Sequence, residues 1–324
     1  MKKGLTIALI AIIMATGKTF AQSSLLATLN QGDGLKIFYG GTALKQAMAA
    51  AAHGDNITLS SGQFDAVDID KAVSLHGAGA EEDSINGTQP TRIIGNFKIS
   101  IPTDVTARLS IEGIYNQESI DIIGTLNNAI FQKCTFRSIN AYSCTSNSLT
   151  VIHCNITTSI NLFPKSTGRF INSYVVNPRN GNEATGAFEF TNCYLYNASG
   201  MSHSVFSNCF LDSEYANDNL VHSNMCRNCV GYGHVFDKVS QMTNTTIESK
   251  EEFQAMFKAN TFYKLTDTAK EKYVGNDGTE VGLYGGNLPY SMHILSPQIT
   301  KCNVAAKTTS DGKLSVDIEV KAAE

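Results

Sequence analysis

The sequence predicts an all-β fold: a single-stranded parallel β-helix with an N-terminal helical cap and a C-terminal extension. Three observations predict it. An apolar–polar–polar–cysteine–apolar motif returns as FQKCTF (131–136), FTNCYL (190–195) and FSNCFL (206–211), with FINSYV (170–175) between them. The polar residue before the cysteine falls at Lys133, His153, Asn172, Asn192, Asn208 and Asn228, at steps of 20, 19, 20, 16 and 20. Charged residues make up 17% of the chain, below the ~25% of an average soluble protein, and Asn, Ser and Thr fill the gap, which suits sheets and turns.

The first element is a leader. Met1-Lys2-Lys3 is followed by an apolar run from Leu5 to Ala15 and by Thr19-Phe20-Ala21-Gln22. A basic start, an apolar core too short to span a bilayer and small residues at a cut site predict a signal peptide over 1–21. No cysteine stands just past Ala21, so no lipid anchor is expected, and no later segment is apolar enough to span a membrane. The expected location is the periplasm, the outer-membrane surface or the medium. A net charge of −4 without a Lys/Arg cluster argues against a nucleic-acid partner.

Next comes a cap. In TALKQAMAAAAHGDNITLSSGQF (42–64), Thr42 suits an N-cap, Leu44, Ala47, Met48 and Ala51 share one helical face, and Gly54 suits a stop. Such a helix would close the open end of a stack of coils.

The coils occupy 22–245. In FEFTNCYL, Phe188 and Phe190 alternate as on one strand, and Cys193 and Leu195 as on another, but Phe190 and Cys193 are three apart. Strands have period two, so both flanks stay inside only if the chain bends at Thr191-Asn192. Asn and Gly enter left-handed backbone most cheaply, and the same pattern extends upstream to Gly113, Asn96 and Gly77. Lys133 and His153 fit this column less well and predict some strain or a different bend there. Before the bend the inner column reads Ile111, Phe131, Val151, Phe170, Phe190, Phe206 and Cys226. After it come Ile114, Cys134, Cys154, Ser173, Cys193, Cys209 and Cys229, then Phe136, Ile156, Val175, Leu195 and Leu211. These repeats and the 42–64 stretch resemble the right-handed parallel β-helix proteins of pectin-lyase-like architecture over roughly residues 35–245. That resemblance implies fold and says little of activity, because this architecture carries lyases, hydrolases, adhesins and structural shafts.

The last element is an extension over 246–324. SKEEFQAMFKA (249–259) reads as a short amphipathic helix with a capping box from Ser249 to Glu252, and NDGTEVGLYGGNLPYS (276–291) as turn-rich chain. The latter resembles the closing segment of secreted β-helix proteins from Bacteroidetes-type bacteria. The tail alternates as two strands joined at Ser310-Asp311-Gly312.

Several side-chain groups are candidates for function. The outward residue after each inner cysteine gives Tyr115, Thr135, Asn155, Tyr174, Tyr194, Phe210 and Val230. Tyr174, Tyr194 and Phe210 would form a strip of rings able to hold sugars, or a packing surface under the C-terminal segment. Glu214 and His234 share an offset on neighbouring coils, with Asp212 and Tyr232 two residues before them and Asp218 and Asp237 near, which makes the best catalytic cluster. Arg169 and Glu189 share an outward offset suited to a surface ion pair. Cys226 and Cys229 form a CxxC, but they fill two inner columns and lack the βαβ setting of a redox site. His222 and His234 flank them at spacings that match no familiar zinc site, so no metal is assigned. Stacked column cysteines would hold their Cβ atoms too far apart for disulfides, predicting free buried thiols.

By the resemblance, polysaccharide lyases of this architecture would need clustered carboxylates for Ca²⁺ and a basic residue, and hydrolases paired carboxylates. Gly-Tyr-Gly-His (231–234) is similar to part of a β-helix hydrolase signature whose other residues are missing. The expected function is therefore an exported, non-catalytic β-helix presenting a long face to a polysaccharide or surface protein. A lyase or glycosidase is the alternative, and Ca²⁺ is implied only there. A purely structural trimeric shaft would want an apolar exterior, and the exterior pattern is polar.

Overall fold

A computed structural model describes residues 25–32, 34–83, 88–162, 165–180, 187–212, 223–237, 239–294, 298–304, 312–313 and 316–321. Glu214, Asp218, His222 and the leader lie outside them, as do Ser310 and Asp311 of the tail's turn. The residues that recur in sequence meet in space. Phe131 pairs with Ile111 and Val151, Phe170 with Val151 and Phe190, and Phe206 with Phe190 and Cys226, all in parallel register. This is a parallel β-solenoid, built from two twelve-stranded sheets whose neighbours are successive coils. We call them sheet I, before the bend, and sheet II, after it.

The core is the three inner columns. Phe131, Phe170, Phe190 and Phe206 are fully buried, as are Cys134, Cys154, Ser173, Cys193, Cys209 and Cys229 and, in the third column, Phe136, Ile156, Val175 and Leu195. Ring centroids of Phe170 and Phe190 lie 4.6 Å apart and those of Phe190 and Phe206 5.0 Å apart, nearly parallel. The coil spacing imposes that stacking, since in-register strands stand about 4.8 Å apart. Each cysteine is small enough to sit inside the bend. The thiols of Cys134, Cys193 and Cys209 donate to backbone carbonyls of their own and the preceding coil. Cys134, Cys154, Cys193, Cys209, Cys226 and Cys229 are free, buried thiols, and burial pushes those of Cys134 and Cys209 up.

The bend itself is one column in the left-handed region. Gly113, Lys133, His153, Asn172, Asn192, Asn208 and Asn228 have φ between 42° and 66°. Lys133 and His153 share the asparagines' bend at φ 51°, so of the strain or different bend expected there it is strain that is found, a left-handed backbone at residues other than Gly or Asn. Of two other expected members, Gly77 keeps the column's register beside Gly113 without taking a positive φ, and Asn96 does not belong. Asn96 sits within sheet II, between Thr91–Ile94 and Phe97–Ile99, where Gly95 takes the positive φ. Gly77 precedes an excursion before the chain rejoins sheet II at Thr91, which pairs with Ile114. A four-residue pattern cannot tell a bend between sheets from a bend within one.

The stack begins with a feature the sequence reading missed. β1 (Leu26–Gln31) and β2 (Gly34–Tyr39) form an antiparallel hairpin, and β1 pairs antiparallel with β3 (Asn56–Leu59), the first coil strand. The expected helix follows at Ala43–Ala50 and buries Ala43, Leu44, Ala47 and Met48. Thr42 stands at its N-cap without capping the backbone; its hydroxyl accepts from Gln46 Nε2 instead. The tail strands Gln298–Val304 and Val316–Lys321 pair antiparallel with each other.

Truncating Phe190 removes the middle ring of the stack, so Phe190→Ala should destabilise by about 3–5 kcal/mol in urea unfolding. A loss under 1 kcal/mol would contradict the packing. The column thiols should react with an aromatic disulfide reagent only after unfolding, and disulfide-linked column peptides under non-reducing digestion would refute that.

Candidate functional site

The described chain after residue 245 is part of the solenoid's outer wall. Ser249 caps the helix Lys250–Ala255 by accepting from Glu252 N–H at 3.1 Å, as its sequence predicts. A second helix, Asp267–Lys272, is capped by Thr266. Between and after them Phe253, Met256, Leu265, Tyr273, Val281, Leu283, Tyr290 and Met292 are buried against sheet II.

That wall covers the aromatic strip. Tyr174, Tyr194 and Phe210 are in register on adjacent coils, but Tyr194 and Phe210 are only 2% and 1% exposed. Tyr263 lies over Tyr194 and Tyr174, at centroid distances of 4.0 and 5.2 Å, and Phe253 meets Phe210 edge-on at 5.9 Å. Tyr194 and Phe210 present no free face to a sugar in this arrangement, and Tyr174 is half-buried at the strip's edge. Asp212 is buried beside them and accepts from the Tyr194 hydroxyl at 2.6 Å. Burial, reinforced by that carboxylate, pushes the Tyr194 phenol far above its ordinary value.

The residues 276–294 form a strap held by the bend column. Asn208 Nδ2 donates to Asn276 Oδ1 and its Oδ1 accepts from Asn276 N–H. Asn172 Nδ2 donates to Leu283 O and Gly285 O, both at 2.8 Å. His153 Nε2 donates to Leu288 O at 2.9 Å, and Lys133 Nζ to His293 O at 2.7 Å. Thus the strap runs down the column against the coil order. Gly282 and Gly286 take positive φ, and a Cβ on either would run into Phe210 or Asn192, which is why glycines recur in this segment. The longer side chains at Lys133 and His153 now have a reason: they reach the strap's far end.

The catalytic candidates do not converge among the described residues. His234 is exposed and its Nδ1 lies 2.7 Å from Asp237 Oδ2, whereas Asp212 is committed to Tyr194. Glu214 lies outside the described residues. Arg169 Nε and Glu189 Oε2 are 2.9 Å apart as an exposed ion pair. Cys226 and Cys229 are buried in the columns. No group of three or more described His, Cys, Asp or Glu side chains is arranged to hold a metal.

What stays open is the other end of the same outward column. Tyr115, Thr135 and Asn155 line a groove of about 600 Å³ with Gln117, Glu118, Arg137 and Thr157. Arg92 lies over the Tyr115 ring, 4.9 Å from its centroid, and Arg137 is 3.7 Å from Glu118. Asn155 Oδ1 is buried there and has no hydrogen-bond partner among the described residues. Sequence reading placed Tyr115, Thr135 and Asn155 in this column, but without a cover elsewhere nothing singled them out. Searches against protein-family models, curated proteins and solved structures found no match.

Two outcomes follow for the strap. Asn172→Ala removes two donors from buried carbonyls and should cost about 1–3 kcal/mol, with faster amide exchange over 283–290. Unchanged exchange there would contradict the clasp. His153 is held below its ordinary value by burial, opposed by the bond to Leu288; protonation would add an N–H at Nδ1, which has no partner. A folded-state value below the unfolded one means stability is complete above about pH 6.5 and is lost as pH falls below it. His153→Gln should flatten the pH 7.5-to-5 difference in unfolding midpoint; equal slopes for both proteins would refute it.

Proposed function

We propose that this is an exported, non-catalytic β-helix protein of pectin-lyase-like type, from a Bacteroidetes-type bacterium, that holds a glycan on the open part of sheet II. The observation that carries this reading is the open groove at Tyr115, lined by the polar side chains of Thr135, Asn155, Gln117, Arg137 and Thr157. Coil repetition sets Tyr115, Thr135 and Asn155 in a row at strand spacing, and at the register shift beside them Arg137 stands opposite Gln117-Glu118 on one coil and Thr157-Thr158 on the other. An extended polymer can cross such rows and exchange hydrogen bonds at regular intervals. Tyr115 supplies an aromatic surface at the groove's edge. The polar lining suits a carbohydrate better than an apolar ligand.

The test is calorimetric binding to a panel of neutral and acidic polysaccharides, with and without Ca²⁺. Asn155→Ala and Tyr115→Ala should each weaken binding about tenfold, the worth of one hydrogen bond or ring contact, without lowering the unfolding midpoint. No binding across the panel would sink the glycan reading. New chain ends would instead turn the non-catalytic part into a lyase or glycosidase, with Glu118 and Arg137 the first residues to change.

A further inference from the structure

We infer that the N-terminal hairpin is a self-association surface through which two copies of this chain join edge to edge by their β2 strands. Sheet I begins in the order β2, β1, β3, so β2 is an end strand among the described residues. Gly40 N–H donates to Leu25 O, and Ser60 N–H to Leu26 O from the far side of β1. Because an antiparallel ladder alternates its bonding direction, Leu35, Ile37 and Tyr39 point their N–H and C=O groups away from β1, toward the open edge. Their side chains lie on the sheet face opposite the core, beside Asn30, Thr28 and Leu26. They are 65%, 46% and 62% exposed. Soluble proteins avoid three apolar residues on an unpaired edge unless something pairs there.

The pattern of β2 fits a second copy of itself. Two-fold antiparallel pairing can centre only on a residue that faces its own copy. Centring on Lys36 opposes two like charges, which is unfavourable. Centring on Phe38 drops Leu35 beyond the strand. Centring on Ile37 sets Leu35 against the partner's Tyr39 and Ile37 against the partner's Ile37, so every outward residue of the edge bonds. It also sets Lys36 against the partner's Phe38, a cation beside a ring rather than beside another cation. Only this register satisfies the edge, aligns the apolar row and separates the charges. The end strand of sheet I then continues into sheet I of the second copy, and the open end of each solenoid closes the other.

Sedimentation of the purified protein over a concentration series should show a reversible dimer. Ile37→Lys, which places like charges at the two-fold, should raise the dissociation constant about 30-fold or more. Ile37→Pro should do the same, and its missing N–H costs nothing inside the monomer because that group faces the edge. Both variants should keep the wild-type monomer's melting behaviour. On oxidation Ile37→Cys should cross-link through a Cα separation near 5.5 Å, whereas Leu35→Cys, offset from its copy by ~13 Å along the strands, should not. A protein that is monomeric throughout, a dimer indifferent to both substitutions, or equal cross-linking at positions 35 and 37 would each overturn the proposal.

Discussion

The coils from Gly113 onward depend on a left-handed backbone turn between their two sheets. The turn lets residues three apart both face the core, so it makes the Phe and Cys columns compatible with a single solenoid. Without it one of the two columns would point to solvent, and each coil would lose half of its stacked interior. Non-glycine residues pay a conformational cost there, and asparagine pays least. The cost recurs along the stack, so something must offset it.

The offset comes partly from the same side chains. An asparagine in the left-handed region carries an amide that projects from the solenoid's corner with both a donor and an acceptor. Asn172 and Asn208 use those groups on the strap, and His153 and Lys133 do the same with longer side chains. One column thus turns the chain and binds the segment that seals it. The strap in turn holds the aromatic wall over Tyr174, Tyr194 and Phe210, so the exposed face of sheet II is decided at the bend.

This arrangement divides sheet II into two regions of different character. Beneath the wall the outward column is aromatic and dry, with Asp212 tied to Tyr194. Beyond it the column turns polar at Asn155, Thr135 and Tyr115, and the surface becomes a groove. The boundary between Asn155 and Tyr174 is a single coil step. A rigid platform with one sealed and one open half suits holding an extended ligand, because coil stacking sets the spacing of its contacts and leaves little to be ordered on binding.

The solenoid, its inner columns, the cap helix and the alignment of Tyr174, Tyr194 and Phe210 were legible in the sequence. Each rests on spacing along the chain, and strands that repeat every coil convert that spacing directly into position. The tail's two strands were legible for the same reason of alternation. What spacing could not reach is whatever depends on segments distant in sequence. Whether an outward ring meets solvent or Tyr263 depends on where the chain after residue 245 returns, and no local pattern encodes that return. The place of Asn96 and the hairpin before the cap escaped because short polar bends look alike whichever sheet they serve. The tertiary structure alone decided which half of the outward column is covered, since burial is a property of neighbours and the neighbours here come from coils' lengths further along the chain.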